Sequence, residues 1–254
     1  FFGTPRFSVR VLDALEAHGL LPALIITAPD RPAGRGQEMK PSPVKEWAFA
    51  RGIDVQTPEK IKDGVLAGEL RNSEWGFFVV AAYGKIIPKD ILDIPAKGTL
   101  NVHPSLLPKF RGPSPVLSAL LADEREGGVS VMLLDEEMDH GPIVAQASID
   151  IAPEDWPMKG SVLEDLFATE GGNLLAETIP EWMKGAIEPV VQNHDEATYT
   201  RKWTDVDAKL DIEHGEARAN LLKIRAFDKN PRAYFIDQNG KRVIVTDAEI
   251  VDNT

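Results

Sequence analysis

Cysteine is absent from the 254 residues, which excludes a disulfide framework, a thiolate nucleophile and any cysteine-based metal centre. Chemistry is left to histidine, carboxylate, amide and backbone groups. No apolar run is long enough to cross a bilayer, and no signal-peptide pattern opens the chain. A cytoplasmic location without membrane contact is therefore expected. The chain begins at Phe1, already inside an apolar segment, which leaves room for a missing leader.

Positive charge is also scarce: 28 Lys and Arg stand against 40 Asp and Glu, a formal charge of −12. Spread evenly, such a surplus would argue against a nucleic-acid partner, because phosphates want Lys and Arg. The surplus is not even. From Asp123 to Glu177 fourteen acids face two bases, a net of −12 that equals the whole excess. Residues 31 to 51, by contrast, carry Arg31, Arg35, Lys40, Lys45 and Arg51 against Glu38 and Glu46. One side of the molecule can bind a polyanion while another repels it.

What is present is an alternation of buried-strand and helix patterns, the signature of an α/β domain with a mainly parallel sheet. The strand candidates are Phe1–Phe2, Pro22–Thr27, Asp54–Gln56, Phe77–Ala82, Gly98–His103, Val129–Leu134 and Val144–Ile151. Between them, Pro5–His18 lines up Phe7, Val11, Leu12 and Leu15 on one helical face, with Pro5 suited to a first turn and Gly19 to a stop. Ser114–Leu121 and Ser161–Lys184 read as further helices. These spans divide the chain into an α/β part over residues 1–185, a polar linker over 186–202 and a small C-terminal part over 203–254. The last holds a helix near Glu216–Ala226 and a hairpin whose Asn239-Gly240 favours a type I′ turn.

Four stretches can carry chemistry. FFGTP sets Gly3 between a strand and a helix, but without G-x-G-x-x-G a tight turn explains it better than a dinucleotide site. PDRPAGRGQEMKPSPVK, residues 29 to 45, is a long proline-rich loop from which Arg31, Arg35 and Lys40 can reach a phosphate backbone; it is not a P-loop, and a solvated surface loop is the plainer reading. In TLNVHPSLLPKFRG, residues 99 to 112, alternation puts Asn101 and His103 on one face at the end of a central strand, where α/β sheets collect ligands. Asn101 can donate to a developing oxyanion and His103 can take or share a proton. The plainer reading there is a core histidine satisfied by a backbone carbonyl. In GGVSVMLLDEEMDHGPI, residues 127 to 143, a Gly-Pro turn can aim Asp139 back at the sheet edge and beside His103, where a carboxylate would hold the imidazole in one tautomer. His18, His140, His194 and His214 have no such setting and read as surface or structural. His103, Asp139 and His140 show no metal-ligand spacing, so no metal is expected.

Taken together, FFGTPRFSV, PDRPAGRGQEMKPSPVK, AAYGKIIP, LNVHPSLLPKFRGPSP and MLLDEEMDHGPI resemble the methionyl-tRNA formyltransferase family in order and spacing, over nearly the whole chain. The Asn-x-His-x-Ser-Leu-Leu-Pro and Asp-x-Gly elements resemble the wider group that uses 10-formyltetrahydrofolate; the basic loop is closer to the tRNA enzymes. The resemblance implies a Rossmann-like domain, mainly parallel with flanking helices, then a small OB-like β-rich domain that is short or incomplete here. It implies Asn101, His103 and Asp139 as catalytic residues and Ser105, Leu106, Leu107 and Pro108 as the folate contact. It further implies a tRNA-reading loop with Arg35, flanked by Arg31 and Lys40. The partners would be 10-formyltetrahydrofolate as cosubstrate and initiator methionyl-tRNA, with the enzyme expected to act as a monomer. Residues 201 to 254 depart from a tRNA-holding barrel in carrying ten bases against ten acids. The alternatives are a formyltransferase acting on an amino sugar or ribonucleotide, a 10-formyltetrahydrofolate hydrolase, and a non-catalytic RNA-binding module.

Overall fold

Thr99–His103 is buried at every position, the mark of a strand covered on both faces. In the computed structural model, which describes residues 1–34 and 36–251, this strand lies inside a seven-stranded sheet. The elements run β1 (Phe2–Gly3), α1 (Arg6–Ala17), β2 (Leu24–Ile26), β3 (Arg31–Ala33), β4 (Glu38–Lys40), α2 (Pro43–Phe49), β5 (Asp54–Gln56), α3 (Val65–Leu70) and β6 (Phe78–Ala81). They continue with α4 (Lys89–Leu92), β7 (Thr99–His103), α5 (Pro115–Leu121), β8 (Gly127–Leu133), β9 (Ile143–Ile149), α6 (Gly160–Lys184), α7 (Ala217–Ala226), β10 (Tyr234–Ile236) and β11 (Arg242–Ile244).

The sheet order is β5-β2-β1-β6-β7-β8-β9. The first five strands are parallel, while β8 runs antiparallel to both β7 and β9. All seven strands expected from the sequence are in this sheet, a Rossmann-like α/β arrangement. Helices α1, α2 and α6 cover one face, where Leu100 and Val102 of β7 join Val11, Leu12, Trp47 and Leu175. The other face is covered by α3 and α4 through Leu66, Leu70, Ile91 and Leu92. No helix among the described residues is long and apolar enough to cross a membrane.

Three short helices, α2, α3 and α4, lack the length for a readable period and escape the sequence patterns. The 29–45 stretch is not featureless either: β3 and β4 form a small antiparallel hairpin, and Ser42 caps α2 by accepting from the Lys45 amide at 3.1 Å. The β-rich C-terminal part is represented by the β10–β11 hairpin beside α7. Its Phe227, Tyr234 and Leu222 pack on Leu120 of α5. The expected type I′ turn is not there, because Gly240 has φ 77 while Asn239 is absent from the positive-φ residues. Instead the Gly240 amide bonds the Asp237 carbonyl at 2.9 Å and the Asp237 amide bonds that of Lys241, so one left-handed glycine closes a three-residue loop.

Helices α1 and α6 are also joined at their polar rim. Asp165 of α6 accepts from Arg6 Nε and Nη2 of α1 at 3.0 and 2.6 Å, and from Arg10 at 3.3 Å. The Arg6 hydrogen bonds hold the Asp165 carboxyl below its ordinary value. A depressed folded pKa contributes stability that is fully present above the unfolded value, about pH 4, and is lost as pH falls through the folded one. Asp165→Asn should therefore lower the thermal midpoint at pH 7 and leave a smaller gap to the parent at pH 3. An equal gap at both pH values would refute the pair's contribution.

Candidate active site

Alternation along β7 sends Leu100 and Val102 into the α1–α6 core and turns Asn101 and His103 to the opposite face. Both polar residues are nearly buried, at 8% and 4% exposure. Among the described residues the Asn101 amide makes no side-chain hydrogen bond, so its donor and acceptor remain available to a ligand. His103 Nε2 lies 3.0 Å from the Phe110 carbonyl. A carbonyl only accepts, so Nε2 carries the proton. Nδ1 faces Asp139, whose Oδ1 is 3.7 Å away. Contrary to the expectation that Asp139 sets the tautomer, Phe110 does so. The backbone contact of a core histidine is thus made at Nε2, and Nδ1 is left facing the Asp139 carboxylate.

Asp139 arrives from an indirect direction. Because β8 is antiparallel to β7, the loop after β8 starts beside the beginning of β7, where the Leu134 amide bonds the Thr99 carbonyl at 2.8 Å. It must fold back along the strand to reach His103. Two glycines permit this. A Cβ at Gly141 would lie 2.0 Å from the Leu133 carbonyl oxygen, and Gly112, at φ 108, would meet the Thr200 carbonyl at 2.9 Å. Asp139 itself sits in the left-handed region at φ 49. Its Oδ2 accepts from the Gly112 amide at 2.7 Å, which leaves Oδ1 toward His103.

The Ser105–Pro108 stretch is supported from below by two side chains that the sequence reading does not single out. Ser130 Oγ donates to the Ser105 carbonyl at 2.6 Å and accepts from the Leu107 amide at 3.1 Å and from Gln146 Nε2 at 2.9 Å. Gln146 also donates to the Leu107 carbonyl at 2.9 Å. Ser105 Oγ closes the turn on the Lys109 carbonyl at 2.6 Å. Leu107 points inward, while Leu106 and Pro108 are half-buried. A usable signal existed: Ser130 is a polar residue in the apolar run VSVML, and it pairs with His103 in register.

Arg111 is 1% exposed and is held by neutral groups. Its Nε and Nη2 donate to Gln192 Oε1 at 3.1 and 2.7 Å, Nη2 to His194 Nδ1 at 2.9 Å, and Nη1 to the Tyr199 hydroxyl at 3.2 Å. His194 also stacks on His140 at 4.1 Å, and His140 bonds Asp135 at 2.7 Å. Gln192, Tyr199 and Arg111 stand in irregular segments, where no periodicity announces them.

Of the basic loop, Arg31 is exposed and pairs with Glu59 at 2.9 Å, and Lys40 is exposed. Arg35 lies outside the described residues. Beyond the carboxyl ends of β5 and β6 opens a groove of about 470 Å³ lined by Glu59, Lys60, Lys62 and Lys85. An apolar cavity of about 320 Å³ sits at the opposite ends of the strands, against Leu24 and Phe78, and is not part of this site. Among the described residues no group of three or more His, Cys, Asp or Glu is placed to hold a metal ion.

The sequence profile of the formyl transferase family matches residues 1–179. A methionyl-tRNA formyltransferase of Chloroflexus aggregans is 42% identical over 234 residues, covering 92% of this chain and 74% of that protein. Among solved structures, a sugar N-formyltransferase from a Shewanella species superposes with a TM-score of 0.68 at 16% identity, covering 97% and 94% of the two chains. HypX from Aquifex aeolicus in complex with tetrahydrofolic acid superposes with a TM-score of 0.61 at 21% identity, covering 77% of this chain and 33% of that one. At those identities the two structures speak for the fold, and the assignment rests on the profile and the 42% relative. The chain belongs to the methionyl-tRNA formyltransferase family.

Proposed function

We propose that this enzyme transfers the formyl group of 10-formyltetrahydrofolate to the α-amine of methionine esterified to initiator tRNA, in the cytoplasm, for translation initiation. The observation that carries the mechanism is the approach of His103 Nδ1 to Asp139 Oδ1 at 3.7 Å, on the strand whose Asn101 amide has no side-chain hydrogen bond among the described residues. In the reaction the amine nitrogen bonds to the formyl carbon, and the bond from that carbon to N10 of the folate breaks. Asn101 donates to the oxyanion of the tetrahedral intermediate, and His103 in its protonated form adds a second donor through Nδ1. Asp139 orients His103 and helps carry the proton lost by the amine to the departing N10. Ser105, Leu106, Leu107 and Pro108 form the wall for the folate.

Residues 1–185 would carry the chemistry, 186–202 the linker, and 203–254 a part that helps hold the tRNA. Arg31 and Lys40 of the β3–β4 hairpin, with Arg35 from the same 29–45 stretch of sequence, would meet the acceptor end. The surplus of base in that loop supports a tRNA acceptor over an amino sugar, which would not need it.

Asn101→Ala and His103→Ala should each stay folded and lower kcat by ~10²–10³, read as formylated Met-tRNA per unit time; turnover close to the parent would sink the catalytic assignment. For Ser130→Ala the loss is different. It strands the Leu107 amide and takes the hydroxyl from the Ser105 carbonyl, so stability should drop by roughly 1–3 kcal/mol, and donor binding followed by folate fluorescence should weaken. Unchanged donor affinity would detach the Ser105–Pro108 wall from folate binding. Arg35→Ala should lower tRNA-dependent turnover with donor binding intact, and the reverse pattern would move this loop into the folate site.

A further inference from the structure

Residues 190 to 200 lie as a strap across both loops of the site. Val190 exchanges backbone hydrogen bonds with Ile143, each 2.8 Å, at the start of β9. Thr198 and Thr200 bracket Arg111 in the same way, with the Arg111 amide on the Thr198 carbonyl at 2.8 Å and the Thr200 amide on the Arg111 carbonyl at 2.7 Å. Between these anchors Gln192, 4% exposed, donates through Nε2 to the carbonyls of Asp139 at 2.9 Å and Gly141 at 2.7 Å. Those carbonyls flank the left-handed turn that presents the Asp139 carboxylate.

We infer that Arg111 and Gln192 are positioning residues for Asp139, an inference that rests on the proposed role of that carboxylate. The guanidinium takes Gln192 Oε1 with two N–H groups, so the amide cannot rotate without turning its NH₂ against another donor. Its NH₂ is thereby aimed at the Asp139 loop. A loop that folds back the length of β7 and ends in a non-glycine left-handed residue needs such an outside hold. Burying a guanidinium on neutral partners is costly, and an apolar side chain would fill the space more cheaply if packing were the only task. Asp139 is held at both ends: its backbone carbonyl by Gln192 and its Oδ2 by the amide next to Arg111.

Gln192→Glu separates positioning from simple attachment. A carboxylate keeps, and strengthens, the bond to Arg111, but has no N–H for the Asp139 and Gly141 carbonyls. The full chain is assayed with 10-formyltetrahydrofolate and Met-tRNA beside the parent. A fall in kcat of roughly 10- to 100-fold is expected, with KM for Met-tRNA and fluorescence-measured donor affinity within about threefold of the parent. In an Asp139→Asn background the same change should cost much less, because the group it positions is gone. An unchanged kcat, an equal penalty in both backgrounds, or a loss shared among donor affinity, KM and thermal midpoint overturns the inference. If Gln192→Glu fails to fold, Gln192→Ala, which puts no charge against the carbonyls, is judged by the same kcat and KM criteria. An active parent with an unaffected Gln192→Glu overturns the positioning role alone; a parent that forms no formylated product overturns the reading of the site as well.

Discussion

The antiparallel turn of a single strand governs the geometry of this site. Had β8 run parallel to β7, its following loop would have emerged at the same edge as His103. Running the other way, it emerges beside Thr99 and has to return over a distance of ~13 Å, four strand steps, before Asp139 can face the imidazole. The turn conditions follow from that return: a glycine at 141 where the chain passes against the Leu133 carbonyl, a left-handed Asp139, and an amide from Gly112 to receive one carboxylate oxygen. What a parallel sheet supplies through its carboxyl edge is here supplied by a folded-back loop.

A returning loop has no ladder of its own, and its backbone groups need partners from elsewhere. The 190–200 strap provides them, through Val190 at the loop's exit and Gln192 at its turn. The strap in turn is anchored by Arg111, whose backbone and side chain both take part. Residues 190–200 thereby hold both loops of the site from outside. It also explains why the arginine of the KFRG sequence is among the most buried side chains of the molecule although it sits in a loop.

The fold was open to reading in the sequence where pattern and structure share a period. Val11, Leu12 and Leu15 mark α1, and the apolar runs mark inner strands such as β6 and β7, because a strand buried on both faces is apolar along most of its length. Helices α3 and α4, at six and four residues, are too short for a period to show. In the site, Asn101 and His103 stood out because polar residues interrupt a buried run. Asp139 was legible through the glycine two positions on. Ser130 could have been found by the same argument as Asn101. Gln192 could not, since its value lies in a contact with residues more than fifty positions away in an irregular segment. The turn at Asn239-Gly240 was misread because a dipeptide preference is weaker than the loop length that the strand register dictates.

Charge follows the same logic of place over total. Outside the site, four of the fourteen acids from Asp123 to Glu177 are engaged in ion pairs among the described residues: Asp123 with Arg218, Glu124 with Lys109, Asp135 with His140, Asp165 with Arg6. Arg31 is bound more lightly than these. Arg31 and Glu59 are each about two-thirds exposed, and a pair so open to water is worth only ~0–1 kcal/mol. A phosphate arriving at Arg31 would displace Glu59 at little cost and release condensed counterions from the nucleic acid as it did so. The net charge of −12 is therefore no obstacle to an anion at Arg31, since that side chain is held by an exposed pair it can readily exchange.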